Sequence, residues 1–177
     1  VQIAILRRPL LSTPGGACSE GADSGRPDMN DIPRPALILA LAGLIPFLAG
    51  AMSVAMPEFL PRIGRFGGTA ADGRALLALY GTVIVCFMSG CLWGFASRHG
   101  RKPGWLELGA SVLPPLFVFF FVADDATSCL ILTYAFAGLL LIECWFARRA
   151  VVVWWWLSLR IPLTVVVSIC LLIGAFA

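Results

Sequence analysis

Five stretches of almost uninterrupted apolar side chains, residues 36–56, 75–96, 105–123, 126–146 and 151–177, run through the chain with short polar breaks between them. At about 1.5 Å per helical residue, each reaches across a hydrocarbon layer of about 30 Å. Backbone N–H and C=O groups find no water there, and a helix satisfies them within one segment. The pattern therefore predicts an all-α, polytopic membrane protein with five transmembrane helices in an antiparallel bundle. The breaks hold roughly 18, 8, 2 and 4 residues. No soluble domain fits into them, and the last three force sequence neighbours into hairpins.

Residues 1–32 differ. Pro9, Pro14, Gly15, Gly16, Gly21, Gly25 and Pro27, mixed with Glu20, Asp23 and Asp28, bury too little apolar surface to order themselves. A mobile tail is expected there, followed by a membrane domain over residues 33–177. Arg7 and Arg8 cut the apolar run at residues 3–6, which argues against a secretory signal. Met29, just ahead of Pro33 and Pro35, is an alternative translation start.

Composition agrees with the pattern: 59% of residues are apolar and 13% charged, against about 45–50% and 25% in soluble domains. The basic residues set an orientation. Arg7, Arg8, Arg26, Arg34, Arg98, Arg101, Lys102, Arg148 and Arg149 fall on the side of the N-terminus, and Arg62, Arg65 and Arg74 on the other, where the turn Asp124-Asp125 is acidic. This predicts a cytoplasmic N-terminus and an external C-terminus. Twelve arginines against one lysine, with abundant Ala and Gly, fit a GC-rich bacterial genome and hence a bacterial inner membrane. The net charge of +3 reads as an insertion signal; nucleic-acid binding is excluded because no basic groove with interleaved aromatics accompanies it.

No catalytic or metal constellation is present. Cys86, Cys91, Cys129, Cys144 and Cys170 are scattered over three spans without C-x-x-C spacing, and read as small apolar packing residues. His99, the only histidine, lies between Arg98 and Arg101 in a polar break and reads as a surface residue. No cofactor and no enzymatic activity are expected.

Charges inside spans cost about 2.5–3.5 kcal/mol at the bilayer centre, so their placement is informative. Glu107 begins one span, Glu143 ends another and Arg160 enters the fifth, all on the N-terminal side. Arg160 is expected to pair with Glu143 first and Glu107 second. All six tryptophans, Trp93, Trp105, Trp145, Trp154, Trp155 and Trp156, fall at the same depth. The layer reads first as an aromatic belt, with Arg160 snorkelling or paired, then as a docking surface, then as a pocket for a lipid or quinone headgroup. Gly90 and Gly94 form a G-x-x-x-G pair, expected to admit another helix of this chain or, second, of a partner. Pro46, Pro114, Pro115 and Pro162 are expected to interrupt their spans, with the carbonyls freed near Pro162 taking up the Arg160 guanidinium.

Three segments carry a family resemblance: Pro35-x-x-x-Leu-x-Leu-x-Gly-Leu-Ile-Pro-Phe47; Tyr80-Gly-Thr-Val-Ile-x-x-Phe-x-x-Gly90 with Trp93-Gly94; and Trp156-Leu-Ser-Leu-Arg-Ile-Pro-Leu-Thr164. Together they resemble an uncharacterised five-span membrane family (DUF3429-type) that includes mitochondrial transmembrane protein 69 and many proteobacterial proteins. The third segment is the most specific. The resemblance implies the membrane location and five spans, and no reaction.

Two functions are compatible with these features. One is a non-catalytic accessory or assembly subunit, bound laterally to a larger energy-transducing complex, respiratory or photosynthetic. Its contact candidates are Trp154, Trp155, Trp156, Arg160, Trp93, Gly90 and Gly94. The other is a small lipid-, quinone- or solute-handling protein that uses the polar layer of Glu107, Glu143 and Arg160 as a pocket.

Overall fold

The computed structural model describes residues 32–56, 69–98, 102, 104–123, 126–153 and 155–177. The N-terminal tail with Met29, the basic residues Arg62, Arg65 and Arg101, the pair Asp124-Asp125, His99 and Trp154 lie outside the described residues. Five helices follow in order: α1 (Arg34–Ala55), α2 (Ala70–Ala96), α3 (Trp105–Phe121), α4 (Ala126–Arg148) and α5 (Trp156–Phe176). Four are long and apolar enough to cross a membrane. The fifth, α3, has 17 residues, the short end of the spanning range.

Local chemistry sets the boundaries that apolar periodicity misses. α2 begins five residues before its apolar stretch because Thr69 caps it: its Oγ1 accepts from Asp72 N–H at 3.1 Å and donates to the Asp72 carboxylate at 2.8 Å. α3 opens with Glu107 accepting from the Gly104 N–H at 3.4 Å. Between α3 and α4, Ser128 Oγ donates to the Ala123 carbonyl at 2.6 Å and accepts from its N–H at 2.8 Å. α4 ends in a Schellman turn: Val151 N–H donates to Phe146 O at 3.0 Å and Ala150 N–H to Ala147 O at 2.9 Å, with Ala150 at φ 54°. Residues 151–153 are thereby turned out of the helix, so α5 starts at Trp156 rather than at 151. The helices α1, α3 and α5 continue through Pro46, Pro114, Pro115 and Pro162, so the expected interruptions do not occur.

α1 packs on α2 and α5, α3 on α2 and α4, and α4 on α5. The main core gathers Phe47, Leu77, Val85, Leu132, Phe136 and Leu171. A second cluster, around Leu92, Leu139, Phe146 and Val151, lies toward the N-terminal side. Glycine makes the tightest contacts. A Cβ on Gly73 would sit 2.8 Å from the Gly50 carbonyl oxygen, and one on Gly174 would sit 2.6 Å from Leu77 Cδ1. Here α1 and α5 meet α2 closely, and Arg74 Nε donates to the Gly174 carbonyl at 3.0 Å. Gly90 and Gly94 do not share this role. A Cβ on either meets nothing within 4 Å, so the expected internal contact through the G-x-x-x-G pair is absent and both glycines face outward.

Candidate functional site

Toward the other end of the bundle Gly43 of α1 makes a looser contact, with a Cβ there 3.8 Å from the Tyr80 hydroxyl, and a cavity of about 310 Å³ opens between α1, α2 and α5, with Phe136 of α4 behind it. Its walls are apolar: Leu39, Leu44, Phe47, Ile84 and Phe87 among them. The exceptions stand on α5, where Arg160 and Thr164, four residues apart, share one helix face. Trp155 and Trp156, both half-buried, close the N-terminal side of the space.

Arg160 is 6% exposed and Glu143 is fully buried. The guanidinium Nε donates to both carboxylate oxygens, at 2.9 Å and 3.1 Å. This crossing from α5 to α4 replaces the expected local contact with carbonyls near Pro162. Pairing through Nε alone forgoes the two-pronged geometry a guanidinium offers a carboxylate, and Nη2 is left buried without a hydrogen bond. Thr164 Oγ1 and Ser89 Oγ are also buried without one. The Trp156 indole N–H faces Glu143 but falls short of a hydrogen bond.

The other layer residues are distributed around this pair. Glu107 is buried and meets Arg149 at 3.7 Å, not Arg160. Arg149 also lies 4.5 Å above the Trp145 ring. Trp156 packs edge-on against Phe95 at 4.9 Å and leans on Trp155 at 6.0 Å. Trp93 and Trp105 are exposed, as are Gly90 and Gly94. The structure thus brings Arg160, Glu143, Trp155 and Trp156 together at the cavity, and leaves Glu107, Trp93, Gly90 and Gly94 elsewhere. Sequence reasoning missed Thr164 and Arg149 as members of the layer. Thr164 was signalled by its i+4 spacing from Arg160, and Arg149 only by its charge.

An apolar outer surface, with Ile38, Leu39, Phe119, Phe120 and Leu141 all exposed, together with helices of spanning length, defines a polytopic α-helical membrane protein in contact with the lipid bilayer. Residues 32–176 match the family described as protein of unknown function (DUF3429), and the chain belongs to that family. It is similar to transmembrane protein 69 of Xenopus tropicalis, 32% identical over 117 residues, which is 64% of this chain and 43% of that protein. It is similar also to transmembrane protein 69 of Mus musculus, 33% identical over 89 residues, 49% of this chain and 33% of that one. The chain spans less than half the length of these curated relatives. No solved structure matches it.

Proposed function

We propose that the chain is a non-catalytic membrane binding protein that takes the polar end of a hydrocarbon-soluble molecule into the α1–α2–α5 cavity. The observation that carries this is Arg160: a buried guanidinium at the wall of an apolar cavity whose Nη2 has no partner. A buried donor without an acceptor costs about 1–3 kcal/mol, and more when charged. A buried ion pair is moreover weak as a stabilising device, since hydrophobic side chains in its place often do as well. An acceptor supplied by a ligand removes the deficit. Thr164, unpartnered on the same face, fits the same use.

The test is extraction and mass spectrometry of small molecules that co-purify with the wild type and with Ala40→Phe, which fills the cavity from α1. A molecule retained in fixed ratio by the wild type and lost from the variant supports the reading. Equal retention by both overturns it.

A second reading rests on a separate observation. Gly90 and Gly94 lie exposed beside exposed Trp93, with room for a foreign helix at close range. Lateral association with a larger energy-transducing complex of a bacterial inner membrane, N-terminus in the cytoplasm, fits that surface. Cysteine crosslinking from position 90 or 94 tests it: recovery of one membrane complex in constant stoichiometry supports the reading, and no crosslinked protein product removes it.

A further inference from the structure

We infer that the cavity receives an uncharged carbonyl oxygen, carried on an apolar molecule that enters sideways from the bilayer between α1 and α2, and that it discriminates against carboxylates and phosphates. This deepens the binding role proposed above and rests on it. Three observations carry the inference.

Charge comes first. Arg160 is the only charged residue among the described residues lining the cavity, and Glu143 already neutralises it at 2.9 Å. Arg149 and Glu107, which meet each other at 3.7 Å, line no part of this space. An incoming anion would therefore leave the buried site with a net negative charge and Glu143 facing a like charge, both penalised in a low-dielectric setting. A cation would face the guanidinium. A neutral group faces neither penalty.

Hydrogen-bond polarity comes second. Nη2 of a guanidinium donates and never accepts, so it requires an acceptor, whereas a threonine hydroxyl can give one proton and can also accept. With both unpartnered on one helix face, the missing group is an acceptor, and a carbonyl oxygen has two lone pairs to offer two donors.

Shape comes third. At about 310 Å³ the space is at the small end of ligand cavities, about 300–1,000 Å³. It holds a ring or a glyceride head but not a long chain as well. Leu39 and Phe87, which line it from α1 and α2, are themselves 72% and 61% exposed on the outer surface. The cavity thus reaches the lipid-facing side between these two helices, where a hydrocarbon tail can remain in the bilayer. Phe47, Phe136 and Trp155 supply aromatic walls for the head. Quinone rings and the ester carbonyls of an uncharged glyceride share this chemistry.

The full chain in lipid nanodiscs is titrated with decylubiquinone, dioctanoylglycerol and decanoate, and binding is read by calorimetry. We expect one of the two neutral probes, which identifies the source, to bind at least about tenfold tighter than decanoate. Thr164→Val, which keeps the shape and removes the hydroxyl, should weaken that probe about three- to tenfold. Glu143→Gln, which leaves the guanidinium uncompensated, should invert the preference so that decanoate binds tighter than the neutral probes. Decanoate binding as tightly as the neutral probes in the wild type overturns the carbonyl inference while leaving the cavity's binding role intact. So does a neutral probe whose affinity ignores Thr164→Val, should Glu143→Gln fail to fold. If no probe binds and Ala40→Phe releases nothing, the binding role itself falls.

Discussion

Replacing Arg160 by Met should destabilise the protein severely, and replacing Glu143 by Leu at the same time should restore most of the loss. Glu143 has no exposed surface and Arg160 almost none, and they meet at 2.9 Å. Removing one partner leaves the other as an uncompensated buried group, at about 3–5 kcal/mol. Removing both leaves two apolar side chains of similar volume, an exchange that is commonly neutral or stabilising by about 1–4 kcal/mol. The coupling in the double-mutant cycle should therefore be about 3 kcal/mol or more. Arg149 with Glu107 is the internal comparison: the contact is 3.7 Å and the Arg149 side chain 49% exposed, and although Glu107 is buried it keeps the Gly104 N–H as a donor, so Arg149→Ala should cost less than Arg160→Met. Reversible unfolding in mixed micelles, followed by circular dichroism for the four variants and the wild type, reads all of these. Additive losses at Arg160 and Glu143 would refute the reasoning. So would a double variant as damaged as the worse single one, since the pair would then contribute stability that apolar packing cannot supply. The restored double variant should nevertheless have lost its ligand, because the donor went with the guanidinium.

Gly73→Ala should destabilise by about 1–3 kcal/mol, because its Cβ would lie 2.8 Å from the Gly50 carbonyl oxygen, whereas Gly90→Ala in open space should be neutral or slightly stabilising; the same unfolding assay compares them. Ala150→Gly should stabilise by about 0.5–1 kcal/mol, since Ala150 holds φ 54° at the end of α4, and a lower melting point than wild type would show that the turn carries no such strain. Orientation is read by impermeant thiol labelling of single cysteines in intact spheroplasts: a cysteine at 125 should react and one at 99 should not, and the reverse pattern would invert the topology.

Much of the architecture was legible because a membrane leaves few choices. Uninterrupted apolar runs had to become helices, and their short connections had to make hairpins. What stayed hidden depended on single side chains acting locally. Thr69 and Asp72 extend α2 past its apolar stretch, and Ala150 delays α5, neither of which alters hydropathy. G-x-x-x-G spacing pointed at Gly90 and Gly94, while the close contacts fell to Gly50, Gly73 and Gly174. Spacing records that an approach is possible, not which face of α2 turns inward. For the site, burial cost singled out Arg160 and Glu143, because few other charges sat inside spans. The cavity beside them could not be read, since it arises from the absence of close contacts along part of α1, and no residue type marks an absence.

The most direct test of the account is a density map of the full chain purified into nanodiscs without added ligand and without delipidation. Non-protein density should occupy the space between α1, α2 and α5, ending within hydrogen-bond distance of the Arg160 guanidinium and Thr164 Oγ1. A cavity closed by α1 moving onto α5, or an Arg160 guanidinium fully bonded to carbonyls of this chain, would contradict it.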